Sequence, residues 1–121
     1  MRILFAAPDR DLLECYKAIL EYDFGETVTA FDGTQVISIL SNEDFDAAVI
    51  DSDIPRVEYT KLIAKIRRKN IPVMLLTDRP LSASFAGDGL LPDACLSHPF
   101  TPAQIEDGLR DLMNKERTFV I

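Results

Sequence analysis

The sequence lacks several residues on which common functional sites depend. Its 121 residues include no tryptophan, one histidine and two cysteines. His98, Cys15 and Cys95 cannot supply the four ligands of a structural zinc site. Cys95 lies in a short apolar run and Cys15 in an amphipathic segment, so we expect both to be small packing residues. The chain also has no glycine-rich phosphate loop and no Ser-His-Asp set. The common zinc, nucleotide-binding and hydrolase motifs are therefore missing.

Long apolar runs are missing as well. No run approaches the roughly 20 residues of a membrane span, and the first ten residues, MRILFAAPDR, lack the long apolar region of a signal peptide. These features predict a cytoplasmic protein with reduced thiols. The formal net charge of −7 repels nucleic acid and anionic membranes, so neither is an expected partner.

The residues that are present favour a packed core. Hydrophobic residues make up 47% of the chain, which is enough for one domain over residues 1–121. Short runs that are apolar at successive positions are typical of parallel strands buried on both faces. The clearest runs are residues 3–6, 47–50 and 73–76, and weaker ones are 27–30 and 94–96.

Segments with apolar residues at helical spacing separate these strands, within residues 12–20, 36–40 and 59–66. A last helix begins at TPAQ, where Thr101 is the predicted N-cap and Gln104 occupies the third helical position. Between the fourth and fifth strands, residues 79–94 contain two prolines and two glycines, so we expect a short or irregular element there.

Alternating strands and helices predict an α/β fold with a doubly wound parallel sheet. In such folds the functional site lies beyond the carboxyl ends of the strands. The residues that follow those ends, and therefore meet at one crevice, are Ala7, Pro8, Asp9, Asp51, Asp53, Thr77, Asp78 and His98.

Five segments resemble, in order and spacing, the receiver domain of two-component response regulators: RILFAAPDRDLLECYKAILE, TAFDG, FDAAVIDSDIP, IPVMLLTD and CLSHPF. The resemblance covers essentially the whole chain. It implies a flavodoxin-like, three-layer α/β/α fold whose five-stranded sheet has the order 2-1-3-4-5. It also implies a non-enzymatic signalling module whose partners are a histidine kinase, an effector or a scaffold protein, with a homodimer as one form of assembly.

The resemblance assigns roles to individual residues. Asp51 matches the phosphoacceptor, and Thr77 matches the hydroxyl that senses the phosphoryl group. Asp53 lies where the family's magnesium ion takes a backbone carbonyl. In the family the peptide bond before the residue that matches Pro99 is commonly cis, which predicts a cis His98–Pro99 bond.

Three positions depart from the family pattern. The acidic pair that normally binds magnesium falls on Ala7 and Pro8, and the lysine position is occupied by His98. Magnesium prefers octahedral oxygen ligands that include carboxylates, so we expect neither a metal nor another cofactor. If His98 lies near Asp51, the carboxylate should favour the protonated imidazole. The alternative is a histidine that simply fills the loop before Pro99.

Two further carboxylates have alternative interpretations. Asp9 and Asp78 are candidates to lean into the crevice and replace the missing ligands. Asp9 is also well placed as the N-cap of the first helix, and Asp78 as the first residue of a surface loop.

Three hypotheses about function follow. The preferred one is a pseudo-receiver that acts by protein–protein interaction without a normal magnesium-dependent phosphorylation cycle. The second is a phosphorelay receiver that is phosphorylated on Asp51 and uses magnesium. The third is a small enzyme or ligand-binding protein of flavodoxin-like form. The last helix and the apolar end of the chain, residues 117–121, are candidates for self-association.

Overall fold

The computed structural model of the chain describes residues 1–78 and 91–118, with the backbone alone for 115–118. It has five parallel strands in one sheet, in the order β2-β1-β3-β4-β5. The elements are β1 Arg2–Ala6, α1 Arg10–Asp23, β2 Glu26–Ala30, α2 Gly33–Asn42, β3 Ala47–Asp51, α3 Tyr59–Arg68, β4 Val73–Leu76, β5 Ala94–Leu96 and α4 Pro102–Thr118. The predicted fold class and strand order are confirmed.

Two predictions fall on parts of the chain that the structure does not describe. One is the irregular element between β4 and β5, most of which lies in residues 79–90. The other is the self-associating segment at residues 117–121, of which 119–121 lie outside the described residues. In the described part of the chain, no helix has the length and apolar character needed to cross a membrane.

The sheet has a helical layer on each face. Successive side chains of a strand point to opposite faces, so the apolar runs of β1, β3 and β4 supply two separate clusters. Leu4, Ile50 and Leu75 pack with α2 and α3, and Phe5, Val49 and Met74 pack with α1 and α4. Every residue of β3 and β4 is buried, as expected of central strands that are covered on both faces.

Side-chain caps fix the start of α4 and α1, as Asp32 does for α2 by accepting a hydrogen bond from the Gln35 N–H at 2.8 Å. Thr101 Oγ1 accepts a hydrogen bond from the Gln104 N–H at 3.2 Å, and Gln104 Oε1 accepts one from the Thr101 N–H at 2.8 Å. This reciprocal capping box confirms the predicted start of α4. Asp9 caps α1, because its carboxylate accepts from the N–H groups of Asp11 and Leu12 at 3.0 and 3.2 Å.

The prediction that both cysteines pack in the interior is wrong. Cys95 and Cys15 are exposed. On β5, Ala94 and Leu96 pack against the cluster beneath α1 and α4, so Cys95 points to the opposite face at the edge of the sheet. Cys15 lies on the outer side of α1.

A close approach between two loops positions the segment after β3. The Gly33 N–H donates to the Pro55 carbonyl at 2.9 Å. A Cβ atom on Gly33 would lie 2.5 Å from the Cβ of Val57, so the absent side chain lets the start of α2 pack on this loop. The chain that leaves Asp51 is thereby fixed against α2.

Candidate functional site

Asp51 is delivered to the crevice by β3, a strand whose five residues are all buried. It is the last residue of β3, pairs in register with Leu76 of β4 and is only 6% exposed. The chain then turns sharply around its carboxylate. The Asp53 N–H donates to Asp51 Oδ1 at 2.8 Å, and the Ile54 N–H donates to the Asp51 carbonyl at 3.2 Å. The carboxylate is therefore held in one orientation.

His98 lies between two carboxylates. Its Nε2 is 3.7 Å from Asp51 Oδ2, and its Nδ1 is 3.4 Å from Asp78 Oδ2. The His98 backbone N–H also donates to Asp78 Oδ1 at 2.8 Å, and the imidazole lies 4.7 Å from the ring of Phe100. The His98–Pro99 peptide bond is cis, which confirms that prediction. Asp78 thus joins the crevice through His98.

The balance of charge in the crevice is negative. Burial raises the pKa of Asp51, and the carboxylates of Asp53 and Asp78 raise it further. The hydrogen bond from the Asp53 N–H and the nearby His98 lower the same pKa, but the net direction is upward. The ionised form of Asp51 is therefore less favoured here than in water.

The positions that match the family's acidic pair offer no side-chain oxygen. Ala7 is completely buried, and its N–H donates to the Ala30 carbonyl at 3.1 Å. Pro8 is exposed. The next residue, Asp9, uses its carboxylate to cap α1, so it is turned toward the helix.

Thr77 and Asp53 lie where the topology predicts. Thr77 directly follows β4, is 2% exposed, and donates its N–H to the Leu96 carbonyl at 2.9 Å. Asp53 is exposed two residues after Asp51. The carboxyl ends of the strands therefore bring together Asp51, Asp53, Thr77, Asp78 and His98. The roles assigned to these residues remain predictions.

The donor set around Asp51 does not fit magnesium well. The ion requires near-ideal octahedral oxygen coordination and usually binds one or two carboxylates. Ala7 and Pro8 present a methyl group and a pyrrolidine ring at the matched positions. Within residues 1–78 and 91–118, no three His, Cys, Asp or Glu side chains are placed to hold a metal ion together.

Sequence reasoning missed the role of the loop after Asp51. Residues 52–54 and 56–60 line an open cleft of about 650 Å³ beside the strand end. Within it Arg56 has a backbone φ of 80°, and its Nε lies 3.4 Å from Asp32 Oδ2. Arginine is uncommon in this left-handed region, so the sequence contains no local indication that Arg56 adopts this conformation. The sequence did indicate the contact between Asp78 and His98, because the two residues follow the ends of neighbouring parallel strands.

Solved structures identify the class of fold. A CheY-like response-regulator receiver domain from Methanospirillum hungatei superimposes with a TM-score of 0.83, at 24% identity over 97% of this chain and 96% of that one. The chemotaxis response regulator CheY4 of Vibrio cholerae gives 0.81, at 19% identity over 92% and 97%. The chain therefore has the flavodoxin-like fold of a response-regulator receiver domain.

Curated proteins with similar sequences include a response regulator and a transcriptional regulatory protein. Response regulator GtcR of Aneurinibacillus migulanus is 29% identical over 104 residues, which are 84% of this chain and 43% of that protein. Transcriptional regulatory protein TctD of Salmonella typhimurium is 27% identical over 118 residues, 95% of this chain and 53% of that protein. The chain spans about half the length of these relatives. No protein-family model matches the sequence.

Proposed function

We propose that this chain is an atypical receiver module that acts through protein–protein contacts, without the usual magnesium-dependent phosphorylation cycle at Asp51. One observation carries the proposal. The two positions that match the family's acidic pair are a fully buried alanine, Ala7, and a proline, Pro8. The nearest alternative carboxylate on that loop, Asp9, is engaged as a helix cap.

Electrostatics supports the same proposal. A phosphoryl donor that approaches Asp51 also meets the negative charges of Asp53 and Asp78, while His98 replaces a permanent cation. Each pair of like charges at about 4 Å costs about 4 kcal/mol at an effective dielectric constant of 20. Since about 1.4 kcal/mol is a tenfold change in rate, one uncompensated pair slows transfer by roughly a thousandfold.

Under this proposal the module binds a histidine kinase, an effector or a scaffold protein, and requires no cofactor. Its fold supplies a rigid sheet and exposed helical faces, and function is then set by the surfaces rather than by the fold. The relatives named above are regulatory proteins about twice as long as this chain, which supports a role in signalling.

A second candidate function is a phosphorelay receiver whose Asp51 still accepts a phosphoryl group. It is favoured by one specific arrangement. Asp51 ends β3 beside Leu76, the last residue of β4. Thr77, which carries a hydroxyl group, directly follows Leu76 in the chain. In this reaction an Asp51 oxygen forms a bond to the donor's phosphorus, and the donor's bond to that phosphorus breaks.

Incubation with acetyl phosphate and Mg²⁺, followed by intact mass measurement, separates the two candidates. We expect no adduct with the wild-type chain under conditions that label an ordinary receiver with an intact acidic pair. Asp51→Asn serves as the control for the site of labelling. An adduct of one phosphoryl group that is present in the wild type and absent from D51N would overturn the proposal in favour of the second candidate.

A further inference from the structure

Helices α2 and α3 form a face whose charge differs from that of the whole chain. α3 contains four basic residues, Lys61, Lys65, Arg67 and Arg68, and neither helix contains an acidic one. The chain as a whole has 20 acidic residues against 13 basic ones. A local excess of positive charge on an acidic protein marks a surface with its own electrostatic preference.

Three of these cations point to solvent without a carboxylate partner in the described part of the chain. Arg67 forms an ion pair with Asp93, whereas Lys61, Lys65 and Arg68 are exposed and take part in none of the ion pairs among residues 1–78 and 91–118. Their spacing of four and then three residues puts them on one side of the helix, over about 10 Å.

The same three cations border an apolar groove. A cleft of about 310 Å³ between α2 and α3 is lined by Ile37, Val57, Leu62 and Ala64, together with Lys61, Lys65 and Arg68. Ile37 and Val57 are half-buried, so part of their apolar surface is in contact with water. The groove thus has an apolar floor and a positively charged border, which we call the α2–α3 groove.

We infer that the α2–α3 groove binds an acidic amphipathic segment of a partner protein. Apolar side chains of that segment contact the floor, and its carboxylates pair with Lys61, Lys65 and Arg68. The inference rests on the proposed function, in that the module acts by binding protein, and it names the surface and the chemistry of the partner. It does not depend on the chemistry at Asp51, which is at the carboxyl edge of the sheet.

Charge complementarity decides between kinds of occupant. Nucleic acid binding draws affinity from many phosphate contacts, and here three cations sit on a chain of net charge −7. A long polyanion would extend onto acidic surface and be repelled. A bilayer needs apolar side chains that project outward, but Leu62 and Ala64 are buried at the bottom of the cleft. A short acidic segment meets neither obstacle.

The test titrates the isotopically labelled chain with a short synthetic peptide of leucine and glutamate in an amphipathic helical pattern, followed by NMR. We expect shift changes confined to α2, α3 and Val57. The variant K61E/K65E/R68E should bind at least about tenfold more weakly, and 1 M salt should weaken binding because it screens exposed charges beyond about 3 Å. A peptide with every glutamate replaced by glutamine should bind less well.

A matched pair of single variants controls for net charge. Lys17 is an exposed lysine on α1, so K17E changes the total charge as much as K65E does without touching the groove. Only K65E should weaken the peptide. Circular dichroism and unchanged NMR chemical shifts in α4 verify the fold of each variant. Weaker binding can then be distinguished from a loss of structure.

Several results would overturn the inference. These are no peptide binding, shift changes on another surface, equal binding by the triple variant or the glutamine peptide, or tighter groove binding by duplex DNA or phosphatidylserine vesicles. Self-association that the triple variant abolishes would instead assign the groove to a second copy of this chain. None of these outcomes concerns phosphorylation of Asp51, so a failure here and a failure of the proposed function are distinguishable.

Discussion

Acidic residues at the two edges of the sheet lie in opposite electrostatic surroundings. At the amino edge, Arg2 begins β1 and forms ion pairs with Glu26 and Glu43. Its guanidinium also donates to the Asp44 carbonyl at 2.9 Å. The carboxylates of Glu43 and Glu26 raise the pKa of Arg2. At this edge carboxylates surround a permanent cation.

The carboxyl edge has the reverse arrangement. Asp51 is buried at the end of β3, and Asp53 and Asp78 add negative charge to it. In the described part of the chain the basic group within 4 Å of Asp51 is His98, and an imidazole is not a permanent cation as a guanidinium is. The amino edge is arranged for stability, and the carboxyl edge retains a buried carboxylate that costs stability.

The largest expected effect comes from giving the carboxyl edge the charged side chains of the family pattern. The variant A7D/P8D/H98K supplies two carboxylates and a permanent cation around Asp51. In the presence of Mg²⁺ we expect acetyl phosphate to label it roughly a thousandfold faster than the wild type, the equivalent of about 4 kcal/mol. Intact mass against time measures the two rates.

The same triple variant with D51N added is the control and should give no adduct. Circular dichroism checks that the buried position of Ala7 tolerates the aspartate. A folded triple variant that remains unlabelled would mean that the absent side chains are not what limits phosphorylation.

Neutralising one carboxylate at each edge should have opposite effects on stability. Asp51→Asn keeps an oxygen to accept from the Asp53 N–H and removes a buried charge, so we expect a gain of about 1 kcal/mol in the free energy of unfolding at pH 7. Glu43→Gln removes a partner of Arg2 and should lower it. Urea denaturation of both variants measures the difference.

The pH dependence of that gain has a definite sign. The folded-state pKa of Asp51 lies above the ordinary value of 3.8, so the folded chain binds the proton more tightly than the unfolded chain. The destabilisation by Asp51 is therefore absent below pH 3.8 and grows as the pH rises through the folded-state pKa. The advantage of D51N should vanish in acid. An advantage that persists there would point to packing rather than charge.

Substitutions that remove the side-chain cap of α1 test whether Asp9 acts only as a helix cap. Asp9→Ala should cost about 1 kcal/mol in unfolding free energy, while Asp9→Asn should change it little, because asparagine is an equally good N-cap. Thermal denaturation of the two variants provides the measurement. If D9N proved as damaging as D9A, the carboxylate would have a role beyond capping.

The smallest effect is expected in the loop beside Asp51. Arg56 adopts a φ of 80°, which costs a residue with a side chain about 1 kcal/mol. The Arg56 side chain is largely exposed, so its contact with Asp32 adds little. Arg56→Gly should therefore stabilise the chain by about 0.5 kcal/mol, as judged from the urea midpoint. A clear loss of stability would show that the pair with Asp32 outweighs the strain.

Much of the site was readable from the order of the residues. Short apolar runs set the strands, and the polar residue after each run had to lie at the carboxyl edge of a parallel sheet. Asp51, Thr77 and His98 were located in this way. Asp9 had two interpretations, and only the observed hydrogen bonds to Asp11 and Leu12 decided for the cap.

Other features depended on side-chain directions that a linear pattern does not contain. The exposed position of Cys95 follows from which face of β5 is covered. The α2–α3 groove requires two helices, separate in sequence, to place Ile37 beside Leu62 and the three cations.

The sequence by itself determined the sheet and the crevice, and it set the identities of Ala7 and Pro8 after β1, because hydrophobic periodicity and residue identity are local properties. The tertiary structure decided that His98 lies between the carboxylates of Asp51 and Asp78, and which cations border the groove. Those outcomes depend on distances of a few ångströms between residues that are far apart in the chain, and electrostatic energy varies steeply over such distances.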